Sequence, residues 1–363
     1  MTQAPVLISA TSSEQPPPPP VPRRWRMGSV LLLAALAGVC LLIGPRLWRW
    51  AVLDAVFPWS EAASCDGRGA CWLFIRERLP QFIYGFYPAP SRWRLNVGFL
   101  LLFGWLALPL LPGMRRRMAP TFAAAAIGIT AAFVLAAGGV FGLTPVETDQ
   151  WGGLFVTALL SITAMVVSLP AGIVLALGRQ AESPLWRGLA NMTVEVIRGV
   201  PLLAILFMAV VLLPLFVPGG EGIGLFARVV VGLCLYAAAY MAEVVRGALR
   251  TIPPGQAEAA RSLGLGYWRC LSLVVLPQAL RAALPNIVST FIQMLKDSTL
   301  VLVVGVFDLL GVVQLTVADP KWNGYSAEAY LFAGLFFFAI CFGLSRVAAR
   351  LERHLDYHRT SSK

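Results

Sequence analysis

Eight apolar runs, each about 20 residues long and broken off by arginine, proline or glycine, constrain this chain more than any other feature. A helix rises about 1.5 Å per residue, so such a run crosses roughly 30 Å of hydrocarbon. Inside lipid the backbone has no partner but itself, which leaves helices as the solution for runs of this length. The runs fall at about Met27 to Leu47, Leu95 to Leu111, Ala119 to Phe141, Trp151 to Gly178, Val194 to Val217, Ile223 to Val245, Leu284 to Leu310 and Ala327 to Ala348. Only 13% of the 363 residues are charged and 58% are hydrophobic, whereas soluble domains carry about 25% charged residues. The expected fold class is an all-α polytopic membrane protein with about eight transmembrane helices.

The first run is too long for a signal peptide and reads as an uncleaved helix, despite the small residues Ala35 and Ala37. Residues 1–26 before it are polar, with Pro16 to Pro20 in succession, and are expected to be a disordered cytoplasmic tail. Residues 48–94 read as a mixed loop rich in tryptophan, a residue that favours the headgroup level. Residues 350–363 form a basic tail.

Basic residues set the orientation. Arg23, Arg24 and Arg26, then Arg115 to Arg117, then the arginines of 179–198, of 246–281 and of the tail all fall on one side of an eight-span chain. The opposite loops 144–150 and 218–222 carry no lysine or arginine, and the last outer loop carries only Lys321. Both termini are then cytoplasmic. The first outer loop is the exception, with seven arginines from Arg46 to Arg94.

The formal charge of +11 is arginine-driven and suits anionic lipid; no basic–aromatic pattern points to nucleic acid. Lysine occurs only at 296, 321 and 363, never after glycine. A phosphate-binding Walker loop needs Gly-Lys-Ser/Thr, so no cofactor is expected in this chain, and ATP-driven work would require a separate ATPase. The two histidines, His354 and His358, sit in the arginine-rich tail, and the six cysteines are scattered; no metal site is expected. Cys65 and Cys71 lie on the outer side in this orientation, either as a small disulfide loop or as two free thiols.

One polar stretch interrupts the apolar pattern. Residues 240–300 leave one run, pass through arginine-bearing segments and enter the next. Thr251 is expected to N-cap a short helix with Pro253 and Pro254 in its first turn, and Gly264 and Gly266 to end it in a left-handed cap. A second short helix, Tyr267 to Leu276, is expected to stop at Pro277. The resulting elbow carries Leu263, Leu265, Tyr267 and Trp268 at its bend, with nothing local to bury them.

Glu258, Ala259, Ala260, Gly264, Val274, Leu276 and Pro277 have the spacing E-A-A-x3-G-x9-I-x-L-P, with Val in place of Ile. This resembles the coupling loop of ABC importer permeases. Glu195, Arg198, Gly199, Pro201 and Leu202 upstream, Glu243, Arg246 and Gly247 before the elbow, and Leu295 to Leu300 after it are similar to the polar amino acid (histidine/glutamine permease) branch. The resemblance covers about residues 150–350. With its long N-terminal extension, the chain is most similar to the M permease subunits of general L-amino acid importers. It implies a type I importer core in the last five spans, residues 151–349, with a cytoplasmic coupling loop at 246–283. Residues 27–150 are then an extension with three transmembrane helices.

The resemblance further implies a bacterial inner membrane location and a subunit that is not itself an enzyme. Its partners would be a second homologous permease in a heterodimer, a dimer of ATP-binding subunits inside, and a periplasmic amino-acid-binding protein outside. The substrates would be L-amino acids over a broad range. Leu263, Leu265 and Tyr267 would fill a groove on the ATPase, and Gly264 would permit the bend. Glu258 would either support the helix N-terminus through its dipole or pair with a basic partner residue.

Charges inside spans cost at least about 2.5 kcal/mol on insertion scales and are usually functional. Lys296 and Asp297, beside Ser298, Thr299 and Gln293, offer one charge of each sign to a zwitterion; alternatively they pair with other spans or gate the pore. Glu195 with Arg198 and Glu243 with Arg246 are each i, i+3 pairs expected near the cytoplasmic interface. Asp308 is a lone acid, expected at the outer rim of the seventh span. A self-sufficient ion-coupled carrier, with Lys296 and Asp297 as relay, is the alternative. Such a carrier has no use for a protruding elbow.

Overall fold

The computed structural model describes residues 23–57, 59, 65, 69–105, 118–217, 222–322 and 324–360. The proline-rich tail, the end of the second expected span with Arg115 to Arg117, most of loop 218–222 and the His354 and His358 side chains lie outside the described residues. The chain divides into two compact units, one ending at Cys71 and one beginning at Trp72.

In the first unit, α1 (Arg23–Trp48) runs into a single π-turn, Arg49–Leu53. Val56 bridges to Cys71, and Cys71 is disulfide-bonded to Cys65 with the two Cα atoms 5.8 Å apart.

The second unit is helical, and its only β-pairing among the described residues is the isolated bridge between Gly153 and Asp308. It begins with α2 (Trp72–Tyr84), α3 (Arg92–Gly104) and α4 (Met118–Ala137). The expected 48–94 loop is thus partly corrected: from Trp72 it is a helix, because Phe74 and Phe82 recur on one face and are buried. Phe74 packs on Trp322 at 5.0 Å between ring centres, and Phe82 on Phe332 at 5.4 Å. Arg78 pairs with Asp319, and Lys321 with Glu77.

The centre is the pair α5 (Gly153–Gly178) and α9 (Leu225–Arg250). In lipid, helices gain little from hiding apolar surface and associate through close van der Waals packing, which small residues permit. Here α9 presents Ala237, Ala238, Ala239 and Ala242, all buried. Gly172 of α5 faces them; a Cβ there would lie 2.8 Å from that of Met241 and 2.9 Å from the Ala242 amide nitrogen. At one end of the pair Phe133, Phe155 and Phe226 pack edge to face around Trp151. α3 meets α5 there too, with Phe99 edge-on to Phe155. The extension from Trp72 onward and the core from residue 151 therefore share one hydrophobic cluster.

The fifth expected span is not straight. It is α6 (Pro184–Gly199) and α7 (Leu202–Val211), bent by 111°. Val200 and Pro201 are extended at the break, because a residue before proline is pushed out of the helical region and Pro201 has no N–H to give. A short α8 (Leu213–Phe216) follows.

Beyond α9 come α10 (Pro254–Ser262), α11 (Tyr267–Cys270), α12 (Leu276–Asp297), α13 (Leu309–Val317) and α14 (Ser326–Thr360). The expected stop at Pro277 does not occur. A π-turn at Leu271–Val275 joins α11 to α12 and places Pro277 in the first turn of α12, where its missing N–H costs nothing. Among the described residues six helices are long and apolar enough to cross a membrane, or seven if the bent α6–α7 pair counts as one span. The expected span left over is the second, which began at Leu95; only α3, 13 residues long, is described there.

Candidate functional site: an exposed elbow and a polar lane

The elbow is built from backbone chemistry. α9 ends at Arg250, and the Thr251 hydroxyl donates back to the Ala248 carbonyl at 2.8 Å. Thr251 thus finishes α9 and does not N-cap α10, which starts behind Pro253. At the other end of α10 the Gly264 amide donates to Arg261 and the Leu265 amide to Ala260, at 2.9 and 3.2 Å. This is a Schellman motif. It requires Gly264 at φ +82°, where a Cβ is strained even though the surrounding space is open.

Ala260 and Cys270 are buried between α10 and α11, so the two short helices hold each other at an angle. Leu263 is 83% exposed, Trp268 72% and Tyr267 56%, with the two rings packed edge to face. Leu265 is half-buried, while Glu258 and Ala259 are exposed. Glu258 lies beyond the first turn of α10, where helix-dipole support has faded.

Where α9 approaches α10, charges gather on Glu243. Its carboxylate accepts from Arg246, from Arg179 at 2.8 Å, and is 3.4 Å from Arg198. Glu195 pairs with Arg179 at 3.5 Å, and Arg179 Nε donates to Asn191 at 2.7 Å. The expected i, i+3 pair of Glu243 and Arg246 is present. Glu195 and Arg198 do not pair with each other: Glu195 reaches Arg179, and the carboxylate of Glu243 attracts the Arg198 guanidinium. All four residues meet in one cluster, joined by Arg179 and Asn191. Arg198 also lies over the Tyr240 ring at 5.5 Å.

From this cluster a lane leads between α9 and α12. α9 carries Tyr236, Tyr240, Glu243 and Gly247; α12 carries Asn286, Thr290, Gln293 and Asp297. Both sets follow i, i+4, i+7, i+11, the repeat that keeps residues on one helix face. A cavity of about 480 Å³ opens here, lined among others by Arg198, Tyr240, Glu243, Gly247, Asn286 and Thr290. Farther along, the Tyr236 and Tyr240 rings lie 4.6 Å apart, and Asp297 is within electrostatic reach of Tyr236. The Oδ2 atom of Asp297 is buried without a hydrogen-bond partner.

Its neighbours divide. Lys296 is exposed, about 100° around the helix from Asp297. Ser298 is fully buried; it donates to the Leu295 carbonyl and accepts from Ser161 of α5 at 3.1 Å, which is a packing role. Thr299 bonds back to the Lys296 carbonyl. Sequence reasoning missed Tyr236, Tyr240, Asn286 and Thr290. The repeat of polar and aromatic residues along two neighbouring runs was the signal that marks them.

Asp308 bridges Gly153 at the start of α5. The seventh span ends at Val304, and Asp308 beyond it is fully buried at the N-cap of α13. One carboxylate oxygen accepts from the Gly311 amide at 2.8 Å, while the other is buried unpaired. Burial pushes its pKa up to about 7.

Residues 168–357 match the family described as binding-protein-dependent transport system inner membrane component. The chain belongs to this family. It is a permease subunit of an ABC transporter, not an enzyme, and ATP hydrolysis falls to a partner ATPase. Among its relatives, the inner membrane amino-acid ABC transporter permease protein YhdY of Escherichia coli is 44% identical, over 87% of this chain and 86% of that one. The glutamate/glutamine/aspartate/asparagine transport system permease protein BztC of Rhodobacter capsulatus is 38% identical, over 82% and 81%. The probable glutamine permease GlnP of Bacillus subtilis is 35% identical over 56% of this chain and 91% of its own. That last match covers little more than half of this chain.

Proposed function

We propose that this chain is a transmembrane permease subunit that imports L-amino acids of broad range across the inner membrane. It works in a heterodimer with a second permease. The elbow at 246–283 docks into a dimer of ATP-binding subunits in the cytoplasm, and a periplasmic binding protein delivers substrate to the opposite face. N- and C-termini then lie in the cytoplasm, and the Cys65–Cys71 loop in the oxidising periplasm.

The observation that carries this reading is the elbow: a pair of short helices that exposes Leu263, Tyr267 and Trp268 where none of the described residues covers them. Clustered exposed apolar side chains mark an interaction surface, and closure of an ATPase dimer against that surface would turn α9 and α12, which leave the elbow on either side. The amino acid substrates rest on the relatives, two of which share the long extension, and on the charged and polar lane beside the elbow. Glu243 with its arginines forms the inner gate, and Asp297 lies on the substrate path.

The test is uptake of a labelled L-amino acid panel in cells lacking their own importers, with this chain co-expressed beside an ATPase, a second permease and a binding protein. The reading predicts uptake of several amino acids that stops when the ATPase is omitted. Transport by this chain alone would replace it with the carrier reading.

A further inference from the structure

Two faces of α6 have partners within the chain, and the third has none among the described residues. Ala190, Val194 and Ile197 turn inward and are buried. Ala190 lies so close to α5 that a Cβ added to Gly178 would be 3.1 Å from its own. Asn191, Glu195 and Arg198 turn to the charge cluster, where they meet Arg179 and Glu243. The third face is a stripe of Leu185, Leu189, Met192 and Val196, spaced i, i+4, i+7, i+11 as one side of a helix requires. All four are exposed, Leu185 at 66% and Met192 at 67%. Trp186 and Arg187, both exposed, stand beside its first turn.

The helix lies at a definite depth. α5 is long and apolar enough to cross a membrane, and it ends at Gly178. Arg179, the next residue, meets Asn191 and Glu195 of α6 and also Glu243 of α9, which Arg198 of α6 reaches as well. These contacts hold the second half of α6 at the level where α5 leaves the hydrocarbon. The 111° bend between Gly199 and Leu202 turns α6 across α7, not along it. α6 therefore runs along the membrane surface on the elbow's side.

The chemistry of the bare face selects its occupant. Protein interfaces are enriched in aromatic residues and arginine and carry hydrogen bonds, whereas this stripe is aliphatic and offers no N–H or O–H. Acyl chains require nothing more. Tryptophan favours headgroup depth, and an arginine there attracts anionic lipid. An apolar face, a polar face and a tryptophan at the boundary are the marks of an interfacial helix.

We propose that α6 is a membrane-surface helix. Its Leu185, Leu189, Met192 and Val196 side chains dip into the leaflet on the elbow's side, Trp186 sits among the headgroups, and Arg187 binds an anionic lipid phosphate. The lipid surface then helps to hold Glu195 and Arg198 around Glu243. The proposal goes beyond the amino acid reading and does not depend on what is carried.

The test is photo-cross-linking of the assembled transporter in nanodiscs of phosphatidylethanolamine and phosphatidylglycerol. Leu189→p-benzoylphenylalanine and Met192→p-benzoylphenylalanine probe the stripe, Glu195→p-benzoylphenylalanine probes the polar face, and adducts are identified by mass. Phospholipid adducts are expected from positions 189 and 192 and not from 195. Phosphatidylglycerol should exceed its share of the disc at least about twofold in the adduct from 189, and Arg187→Gln should return it to that share. Adducts from 189 and 192 to the second permease or the ATPase overturn the proposal and assign the face to that protein. Absence of any adduct there, or equal lipid adducts from all three positions, also overturns it. Phosphatidylglycerol at its bulk share with and without Arg187→Gln overturns the assignment of Arg187. Because the readout is an adduct mass, a transporter that imports none of the amino acids tested would overturn the amino acid reading and leave this result standing.

Discussion

The elbow and the lane break the same rule in opposite senses. In the elbow, α10 and α11 leave Leu263, Tyr267 and Trp268 exposed; in the lane, α9 and α12 carry Glu243 and Asp297 within helices long and apolar enough to cross a membrane, and α6 brings Arg198 to Glu243. Both places are rigid, the elbow through its Schellman turn and the Ala260–Cys270 contact, the lane through alanine-packed helices. Rigid elements that display the wrong polarity for their surroundings are costly to keep, and a partner or a cargo supplies the missing complement. In the proposed reading the elbow's complement is a protein and the lane's is an amino acid.

The largest expected effect lies in the elbow. Leu263→Asp combined with Tyr267→Asp removes two apolar anchors of the kind that carry about 2 kcal/mol or more each at interfaces, so uptake should fall by at least roughly thirtyfold. Co-purification of the ATPase should fall with it while the chain still reaches the membrane. Uptake that survives with the ATPase still bound would assign the exposed side chains some other covering. Gly264→Asp attacks the same elbow through its backbone. The left-handed conformation costs a side chain about 1–2 kcal/mol, and a several-fold drop in uptake is expected.

Effects in the lane divide by burial. Glu243→Gln leaves three arginines without their shared carboxylate. The pair is only about three-quarters buried, so a loss of about 1–2 kcal/mol is expected, read as a lower midpoint of thermal unfolding in detergent. Glu195→Gln is the contrast within the cluster. Its side chain is 71% exposed, and it should change the midpoint little. Equal losses for the two variants would mean that burial does not set the strength of this cluster.

Asp308 gives a smaller, pH-dependent effect. Its folded pKa, about 7, is raised above the ordinary value of 3.8. Between those values the folded state holds a proton that the unfolded state has lost, so stability falls as pH rises through the window and is flat above it. Asn also caps helices well. Asp308→Asn should therefore raise the unfolding midpoint relative to wild type at pH 8 and leave it nearly unchanged at pH 4. A gain that is the same at both would exclude ionisation as its cause.

Much of the fold was legible because spans and the elbow are local: apolar length, proline, glycine and arginine placement define them within a few turns. The 111° break at Gly199–Pro201 was missed inside an apolar run, although Pro201 marked it. Pro277 misled because a π-turn lets a helix resume with proline in its first turn. Partners were the least legible. Glu195 with Arg179, Arg198 with Glu243, and Phe74 with Trp322 are brought together by the packing of separate helices. Local i, i+3 spacing cannot register such neighbours, and at residue 195 it gave the wrong one.

The most direct test of the account is a photo-cross-link from the elbow. Leu263→p-benzoylphenylalanine in the assembled transporter should form its adduct with the ATP-binding subunit. Phe141→p-benzoylphenylalanine, at another highly exposed position, 94% exposed, should not. An ATPase adduct from position 263 alone is the predicted result; adducts from 263 only to lipid or to the permeases, with the ATPase present and active, would contradict it.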